Sequence, residues 1–366
     1  MVVGSATPDN SRHFMFKKIC LLSAIIIIAL TTTGCSISFK GGDTGDTDGG
    51  LFVSINKGEQ WKQKTSIPTI SGTPKTMAGL SVNSLIMDPG DHQAIYFGSV
   101  ENGLFYTYDV ANTWQIAKGL EQATINSIAV DPSSRCIIYA AINNKVYKSN
   151  DCNRSWSQTY YDNNVTVKIN DIIVDHYDSK NVYLGTSRGE IIKSVDYGVS
   201  WQTIQRFDMG IKKIIISPHD SRVVFAASDK KEIYRSTDGG EHWISMKEQL
   251  GKVGSDFKDL VFAKDNKNLI FLATHYGLLK STDNGDTWSQ ITLIPPEKKA
   301  VINAIAINPQ DSQEIYYVTD TTFYRSSDNG QNWSVKKLPT TRAGWKLLID
   351  PENPKIIYMG VRALRK

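Results

Sequence analysis

A motif of the form Ser-x-Asp-x-Gly-x-x-Trp recurs seven times along the chain. Serine and aspartate beside glycine are residue types that enzymes use in catalysis, so seven copies are an obvious candidate for chemistry. The clearest copies run from Ser236 to Trp243, from Ser281 to Trp288 and from Ser326 to Trp333. Weaker copies end at Trp61, Trp114, Trp156 and Trp201.

A structural role explains this motif better than catalysis does. Aspartate in a tight turn accepts hydrogen bonds from nearby backbone amides. Glycine adopts the positive φ that a hairpin requires, and tryptophan fills a large volume between packed elements. Weaker copies carry Asn56 or Ala111 in place of aspartate or glycine, which a repeated fold absorbs one copy at a time. We therefore assign a structural role to the motif aspartates Asp109, Asp151, Asp196, Asp238, Asp283 and Asp328.

The spacing of the motif, about 45 residues, predicts a repeat architecture. Each repeat also has a first, apolar strand that ends in Asp-Pro or a similar pair of residues, as at Asp88-Pro89. A second strand carries an aromatic residue, as at Ile138-Tyr139. A third strand leads into the motif and a fourth follows its tryptophan. The first strands are apolar at successive positions, which indicates burial on both faces. Four-stranded sheets packed face to face around an axis are the blades of a β-propeller.

The two ends of the chain are incomplete repeats that complement each other. Residues 50–61 supply a third strand and a motif, whereas residues 345–360 supply a first and a second strand. The sequence therefore predicts an all-β fold, a seven-bladed β-propeller of four-stranded antiparallel blades over residues 50–366. Pairing of the N- and C-terminal strands closes the ring and removes free sheet edges.

The repeated motif resembles the Asp-box, or BNR repeat, of sialidases, xyloglucanases, the propeller of sortilin and photosystem II assembly-factor lipoproteins. The resemblance covers roughly residues 50–360 and implies the architecture, not a function. A single propeller in lipoprotein form is most similar to the assembly factors. The Asp-Pro and Ile-Tyr signatures are more similar to the sortilin and xyloglucanase type, so we do not transfer a photosystem partner.

Candidate binding residues lie where each first strand begins, around the mouth of the central channel and opposite the motif hairpins. These positions are Asn83, Asn126, Asn170, Lys212, Lys258, Asn303 and Trp345, and the next position adds the carboxylates Asp171 and Asp259. The repeated asparagine either caps the strand or lines a ligand site. Trp345, the one tryptophan outside the motif, either anchors a partner or sugar or fills the core of the closing blade.

A glycoside hydrolase of xyloglucanase or sialidase type is the alternative function. Such enzymes use two carboxylates, and Asp171 and Asp259 lie two blades apart in the predicted ring. The sequence has no Arg-Ile-Pro segment of the sialidase type, zinc-ligand cluster, nucleophile elbow or phosphate-binding loop. We therefore predict no catalytic residue, cofactor or metal, and a binding scaffold for a protein, peptide or glycan.

The N-terminus is typical of a targeting segment. Lys17-Lys18 precede the apolar run 19–30, which is short for a bilayer span but suits a signal peptide. Gly34-Cys35 resemble a bacterial lipobox, which implies lipidation of Cys35 after cleavage of residues 1–34; Met15 is a possible true start. Residues 35–49 are a small, polar tether. The expected location is extracytoplasmic and membrane-anchored through the lipid, with secretion or a retained anchor as alternatives.

The charge and the cysteine content limit which partners and which cellular compartment the sequence predicts. With 41 basic and 37 acidic residues, the chain has no electrostatic case for nucleic acid, and we expect a monomer. Cys136 and Cys152 lie nearly opposite each other across a hairpin at Asn143-Asn144. They are either a disulfide, which an extracytoplasmic site permits, or two separate thiols.

Overall fold

Seven antiparallel sheets of four strands each form the described part of the chain. The structure is a computed structural model, and it describes Met1 and residues 47–228, 232–294 and 301–364. The predicted signal peptide, Cys35 and most of the predicted tether lie outside these residues. Among the described residues, no helix is both long and apolar enough to cross a lipid bilayer.

The strands follow one another blade by blade along the chain. The N-terminal part consists of β1 (Leu51–Ser54) and β2 (Lys62–Gln63), then a small hairpin of β3 (Ser66–Ile67) and β4 (Lys75–Thr76). Blade 1 consists of β5 (Val82–Asp88), β6 (Asp91–Ser99), β7 (Leu104–Thr107) and β8 (Gln115–Ile116). Blade 2 consists of β9 (Ser127–Asp131), β10 (Ser134–Ile142), β11 (Lys145–Ser149) and β12 (Ser157–Tyr161). Blade 3 consists of β13 (Ile169–Val174), β14 (Val182–Thr186), β15 (Glu190–Ser194) and β16 (Gln202–Arg206).

The second half of the ring repeats this order. Blade 4 consists of β17 (Ile211–Ser217), β18 (Asp220–Ser228), β19 (Ile233–Ser236) and β20 (Ile244–Ser245), followed by helix α1 (Lys247–Leu250) and a 3-10 turn (Gly251–Gly254). Blade 5 consists of β21 (Phe257–Phe262), β22 (Ile270–Thr274), β23 (Gly277–Ser281) and β24 (Ser289–Ile291). Blade 6 consists of β25 (Ala304–Ile307), β26 (Ile315–Val318), β27 (Thr322–Ser326) and β28 (Ser334–Lys337). The last strands are β29 (Ala343–Ile349) and β30 (Ile357–Arg362).

The seventh blade, the seam blade, is built from both ends of the chain, as the sequence predicts. Its strand order is β2-β1-β30-β29, and Leu51 in β1 pairs with Gly360 in β30. Arg342, which is 5% exposed, fastens this closure by donating to the carbonyl oxygens of Gly79 and Leu80 at the start of blade 1. Asp48 accepts hydrogen bonds from the segment just before Arg342, so the packed part of the chain already includes the end of the predicted tether.

Buried side chains fill the spaces between neighbouring blades. The first strands of neighbouring blades contact one another around the channel, and the aromatic residues of the second strands pack behind them. The Tyr139 hydroxyl reaches the motif hairpin of the next blade and donates to the Tyr197 carbonyl oxygen over 2.8 Å, and the Tyr183 hydroxyl does the same with Gly239. Each such aromatic side chain removes a large apolar area from water, which stabilises the ring by roughly 1.5–3 kcal/mol.

The hairpin formed by β3 and β4 is an addition that the repeat pattern did not predict. It lies within the longest interval between motif tryptophans and packs against blade 1. The Trp114 backbone N–H donates to Ser66 and its indole N–H donates to Lys64. Trp114 is therefore completely buried, unlike the other motif tryptophans.

Candidate functional site at the channel mouth

The predicted mouth positions hold neighbouring blades together. Most are extra residues in β-bulges, as at Asn170 between Ile169 and Asp171, and a bulge redirects the side chain of the strand. Five of the seven donate a hydrogen bond to a carbonyl oxygen of the next blade. These bonds are Asn83 to Ile125 (2.8 Å), Asn126 to Ile169 (3.0 Å), Asn170 to Ile211 (2.8 Å), Lys212 to Phe257 (3.0 Å) and Asn303 to Gly344 (3.0 Å). Four asparagines and one lysine thus carry structural bonds between blades.

Two mouth positions depart from this pattern, one in blade 5 and one in the seam blade. Lys258 turns its ammonium group to Asp256 in its own blade, 3.2 Å away, instead of reaching blade 6. Trp345 lies under Arg362, whose guanidinium carbon is 4.7 Å from the centroid of the indole ring. Arg362 also donates to the Asn83 side-chain oxygen over 3.2 Å. The seam blade therefore presents an indole ring beneath an arginine at the position where five other blades donate a hydrogen bond to the next blade.

Asp171 lies inside the channel and is 2% exposed. Its Oδ1 accepts hydrogen bonds from Ser127 of blade 2 (2.6 Å) and from the Lys213 ammonium (3.0 Å), and its Oδ2 accepts one from the Ile214 backbone N–H (2.8 Å). Burial alone would lower the pKa of Lys213, but the Asp171 carboxylate and the more distant Asp259 outweigh it, so the pKa is raised. Asp171 therefore joins blades 2, 3 and 4, and the Lys213 ammonium is its counter-ion.

Asp259 in blade 5 and Lys346 in the seam blade form no direct ion pair with each other, unlike Asp171 and Lys213. Asp259 accepts hydrogen bonds from the Leu260 and Ile305 backbone N–H groups, and burial raises its pKa. Lys346 has no hydrogen-bond or ion-pair partner among the described residues, and burial lowers its pKa. Both residues are half-buried. Lys346 interacts electrostatically with Asp259, without a direct ion pair among the described residues.

Asp171 and Asp259 both take part in the packing of strands around the channel. Glycoside hydrolysis needs one carboxyl group that releases a proton and a second that attacks or activates water. Both oxygens of Asp171 and both oxygens of Asp259 accept hydrogen bonds, and all of the donors except the Leu260 N–H of the same strand come from neighbouring blades. In this structure, the two carboxylates that the sequence singled out organise the channel.

Other side chains on the same face form local ion pairs. Arg188 lies between Asp162 (2.9 Å) and Glu190 (2.6 Å), whose carboxylates are almost completely buried. Among the described residues, one group of three metal-ligating side chains comes together, namely Asp238, Glu241 and His242 in a motif hairpin. Asp238 already accepts hydrogen bonds from Ser236 and His242 there, so this group belongs to the turn.

The motif aspartates have the turn geometry that the sequence predicts. Asp196 accepts hydrogen bonds from the Ser194 hydroxyl, from the Val199 and Ser200 backbone N–H groups and from the Ser200 hydroxyl. Led by the Ser200 hydroxyl, these donors lower the pKa of Asp196 to about 2. Equivalent hydrogen bonds surround Asp109, Asp151, Asp238, Asp283 and Asp328. All of these donors come from the same turn as the aspartate, so the hydrogen bonds stabilise the turn itself.

Cys136 and Cys152 lie together in blade 2. Cys136 is in β10, Cys152 follows β11, and the Cys152 backbone N–H donates to the Cys136 carbonyl oxygen over 3.2 Å. Their Cα atoms are 3.9 Å apart and the structure joins their sulfur atoms in a disulfide. The bond ties the second strand of the blade to its motif hairpin.

A cavity at the other end of the channel was not foreseen from the sequence. We call this end, where the first strands finish at the Asp-Pro turns, the far mouth. Lys264 lines it at a position where five other blades have proline and blade 3 has His176. This break in the repeat is the sequence signal of the cavity, which lies at the mouth opposite the predicted strand-start residues.

Comparisons with known proteins agree on the architecture. Residues 189–278 and 276–364 each match the sequence model of the Sortilin-Vps10 family, described as sortilin, neurotensin receptor 3. No curated protein matches the sequence. A GH74 xyloglucanase from Xanthomonas campestris superposes with a TM-score of 0.64 at 17% identity, covering 77% of this chain and 51% of the enzyme. A GH74 enzyme from Niastella koreensis gives 0.63 at 15% identity, with 84% and 52% covered.

The structure of YCF48 bound to a D1 peptide is a third similar fold. It gives a TM-score of 0.60 at 17% identity, covering 81% of this chain and 95% of YCF48. The chain thus spans about half the length of the xyloglucanases but nearly the whole of YCF48. At these identities, the similarities concern the fold.

Proposed function

We propose that this chain, a seven-bladed Asp-box β-propeller of the group that includes the sortilin propeller, xyloglucanases and photosystem II assembly-factor lipoproteins, is a non-catalytic binding module. It holds a peptide segment of a partner protein at the channel mouth. The ligand contacts the seam sector, which we define as Trp345, Lys346 and Arg362.

This proposal rests on a difference between the blades around the channel mouth. Five mouth positions are committed to inter-blade hydrogen bonds, and Asp171 is neutralised by Lys213. The seam sector instead presents a half-buried indole ring beneath Arg362 and the Lys346 ammonium, which has no partner among the described residues. Aromatic and arginine side chains are enriched at the energetic centres of protein interfaces. Lys346 adds a preference for a segment with an acidic side chain or a carboxylate.

Two further observations support binding over hydrolysis. YCF48, which shares the fold over nearly its whole length, has been solved with a bound D1 peptide. The xyloglucanases extend over about twice the length that this chain matches, and a two-carboxylate cleft needs groups that are free to exchange protons. In this channel the oxygens of Asp171 and Asp259 are occupied by strand contacts.

We also propose that the propeller acts outside the cytoplasm, attached to a membrane through a lipid on Cys35. The Gly34-Cys35 sequence and the preceding apolar run support this proposal, as does the Cys136–Cys152 disulfide. Metabolic labelling with a fatty acid should label the parent chain and leave Cys35→Ser unlabelled. A parent chain that takes up no label would contradict the lipid anchor.

Capture of envelope proteins on the full chain tests the binding function. Trp345→Ala should reduce recovery of the partner at least tenfold, whereas Val199→Ala, at an exposed site in a motif hairpin, should leave it unchanged. In parallel, the chain is assayed on xyloglucan and β-glucan. Turnover that disappears in Asp171→Asn or Asp259→Asn would replace the binding function with the hydrolase alternative.

A further inference from the structure

The far mouth contains a cavity of about 320 Å³ that the proposed binding function does not use. Its walls come from the ends of β5, β21, β25 and β29, which belong to four consecutive blades: blade 5, blade 6, the seam blade and blade 1. The volume is at the lower end of the range of about 300–1,000 Å³ for small-molecule sites. The cavity therefore suits a small ligand.

The walls of this cavity are apolar side chains that the blade packing leaves partly exposed. In three of the four strands, two successive apolar residues near the strand end are half-buried. These pairs are Ile86 and Met87, Val261 and Phe262, and Leu348 and Ile349. In blade 2, by contrast, the whole of β9 is buried. Apolar surface gathered in a concave site, rather than scattered singly, is typical of a ligand pocket.

Lys264 supplies one cation at the rim of this apolar site. Its ammonium has no hydrogen-bond or ion-pair partner among the described residues. Although the residue as a whole is exposed, protein atoms around the ammonium desolvate it and lower its pKa, and no carboxylate compensates. The neighbouring Asp265 is engaged with the Ser312 backbone N–H. Asp88 also lines the cavity, but one of its oxygens accepts from the Gly90 N–H and the other is inaccessible. The accessible charge of the site is therefore positive.

We propose that the far mouth binds a small aliphatic carboxylate, with its hydrocarbon part against the apolar walls and its carboxylate on Lys264. The apolar residues supply affinity in proportion to the area that they remove from water. The charge-assisted hydrogen bond to Lys264 selects an acid over a neutral molecule of the same length. This site lies at the opposite end of the channel from the seam sector and does not depend on the proposed binding function.

Calorimetric titration of the full chain with octanoate tests this proposal, with octanol and acetate as probes that lack one of the two features. We expect octanoate to bind about tenfold or more tightly than either control. Lys264→Met should reduce octanoate affinity by a similar factor and leave octanol unchanged. Lys267→Met removes an exposed lysine three residues away that does not line the cavity, and it should have no effect.

Three results would overturn the site. They are the absence of octanoate binding, equal affinity for octanol and octanoate, and octanoate binding that Lys264→Met does not weaken. Each is independent of partner capture at the channel mouth. Unfolding curves for both lysine variants should match the parent chain, because each side chain is exposed and without a described partner.

Discussion

The guanidinium carbon of Arg362 lies 4.7 Å from the centroid of the Trp345 ring, so that a cation from β30 covers the indole of β29. The same arginine donates to Asn83 at the start of blade 1. Trp345 occupies the position that holds asparagine in four other blades, yet it makes no equivalent bond to the next blade among the described residues. At the seam, therefore, Arg362 rather than the residue at the strand start bonds to the next blade, and the indole ring lies beneath it.

The inter-blade role of the mouth asparagines predicts a stability difference within the ring. Asn170→Ala removes a donor to the Ile211 carbonyl oxygen and should lower the free energy of unfolding by about 1–2 kcal/mol. Lys258→Ala, at the equivalent position of blade 5, loses only an intrablade contact with Asp256 and should cost less than about 0.5 kcal/mol. Urea unfolding of both variants measures the difference. Equal effects would mean that the asparagine bonds do not hold the blades.

The motif glycine predicts a second pair of variants. Gly285 has a φ of +94°, and a Cβ atom there would lie 2.9 Å from Phe225 of the preceding blade. Gly239 also has a positive φ, +76°, but a Cβ atom would meet nothing within 4 Å. Gly239→Ala should therefore cost about 1–2 kcal/mol for its backbone conformation alone. Gly285→Ala should cost a further 1–3 kcal/mol or so because of the clash. Thermal unfolding measures the two variants, and equal unfolding midpoints would contradict this packing.

The repeat explains why the fold was predictable and the site was not. Seven tryptophans at nearly constant spacing, together with complementary chain ends, determine the number of blades and the closure of β1 on β30. A site, however, depends on departures from the repeat. The bulge that turns Asn170 toward Ile211, and the stacking of Arg362 on Trp345, arise from contacts between blades that one repeat does not encode. Lys264 was missed because its importance comes from apolar walls on three other strands.

Acid should destabilise the propeller through the motif aspartates. Hydrogen bonds within the turns lower the pKa of Asp151, Asp196, Asp283 and Asp328 to about 2. Because these values lie below the unfolded value of about 3.9, their stabilisation is complete above that pH and is lost as the pH falls toward 2. The raised pKa values of Asp88 and Asp259 act in the opposite direction.

Urea midpoints between pH 6 and pH 2 measure this acid effect. The midpoint should fall most steeply below pH 4, and Asp283→Asn should fall less steeply because one such group is gone. A midpoint that stays constant down to pH 2 would show that the motif hydrogen bonds do not favour the ionised form.

The disulfide predicts a defined chemical state. Alkylation of the denatured chain without reductant should leave Cys136 and Cys152 unmodified, and reduction should expose both to the reagent, as peptide mass spectrometry would show. The bond closes a loop with a sequence separation of 16 residues, so Cys136→Ser should lower stability by about 3 kcal/mol. Modification of both cysteines before reduction would instead establish two separate thiols.

Photocrosslinking from chosen positions tests the central claim, that the channel mouth binds the partner. A photoreactive amino acid replaces Lys258 at the channel mouth in blade 5 or Val199 in a motif hairpin, and crosslinked products are isolated from intact cells. We predict a discrete protein adduct from position 258 that Trp345→Ala abolishes, and none from position 199. An adduct from position 199 alone, or one from position 258 that persists in Trp345→Ala, would contradict it.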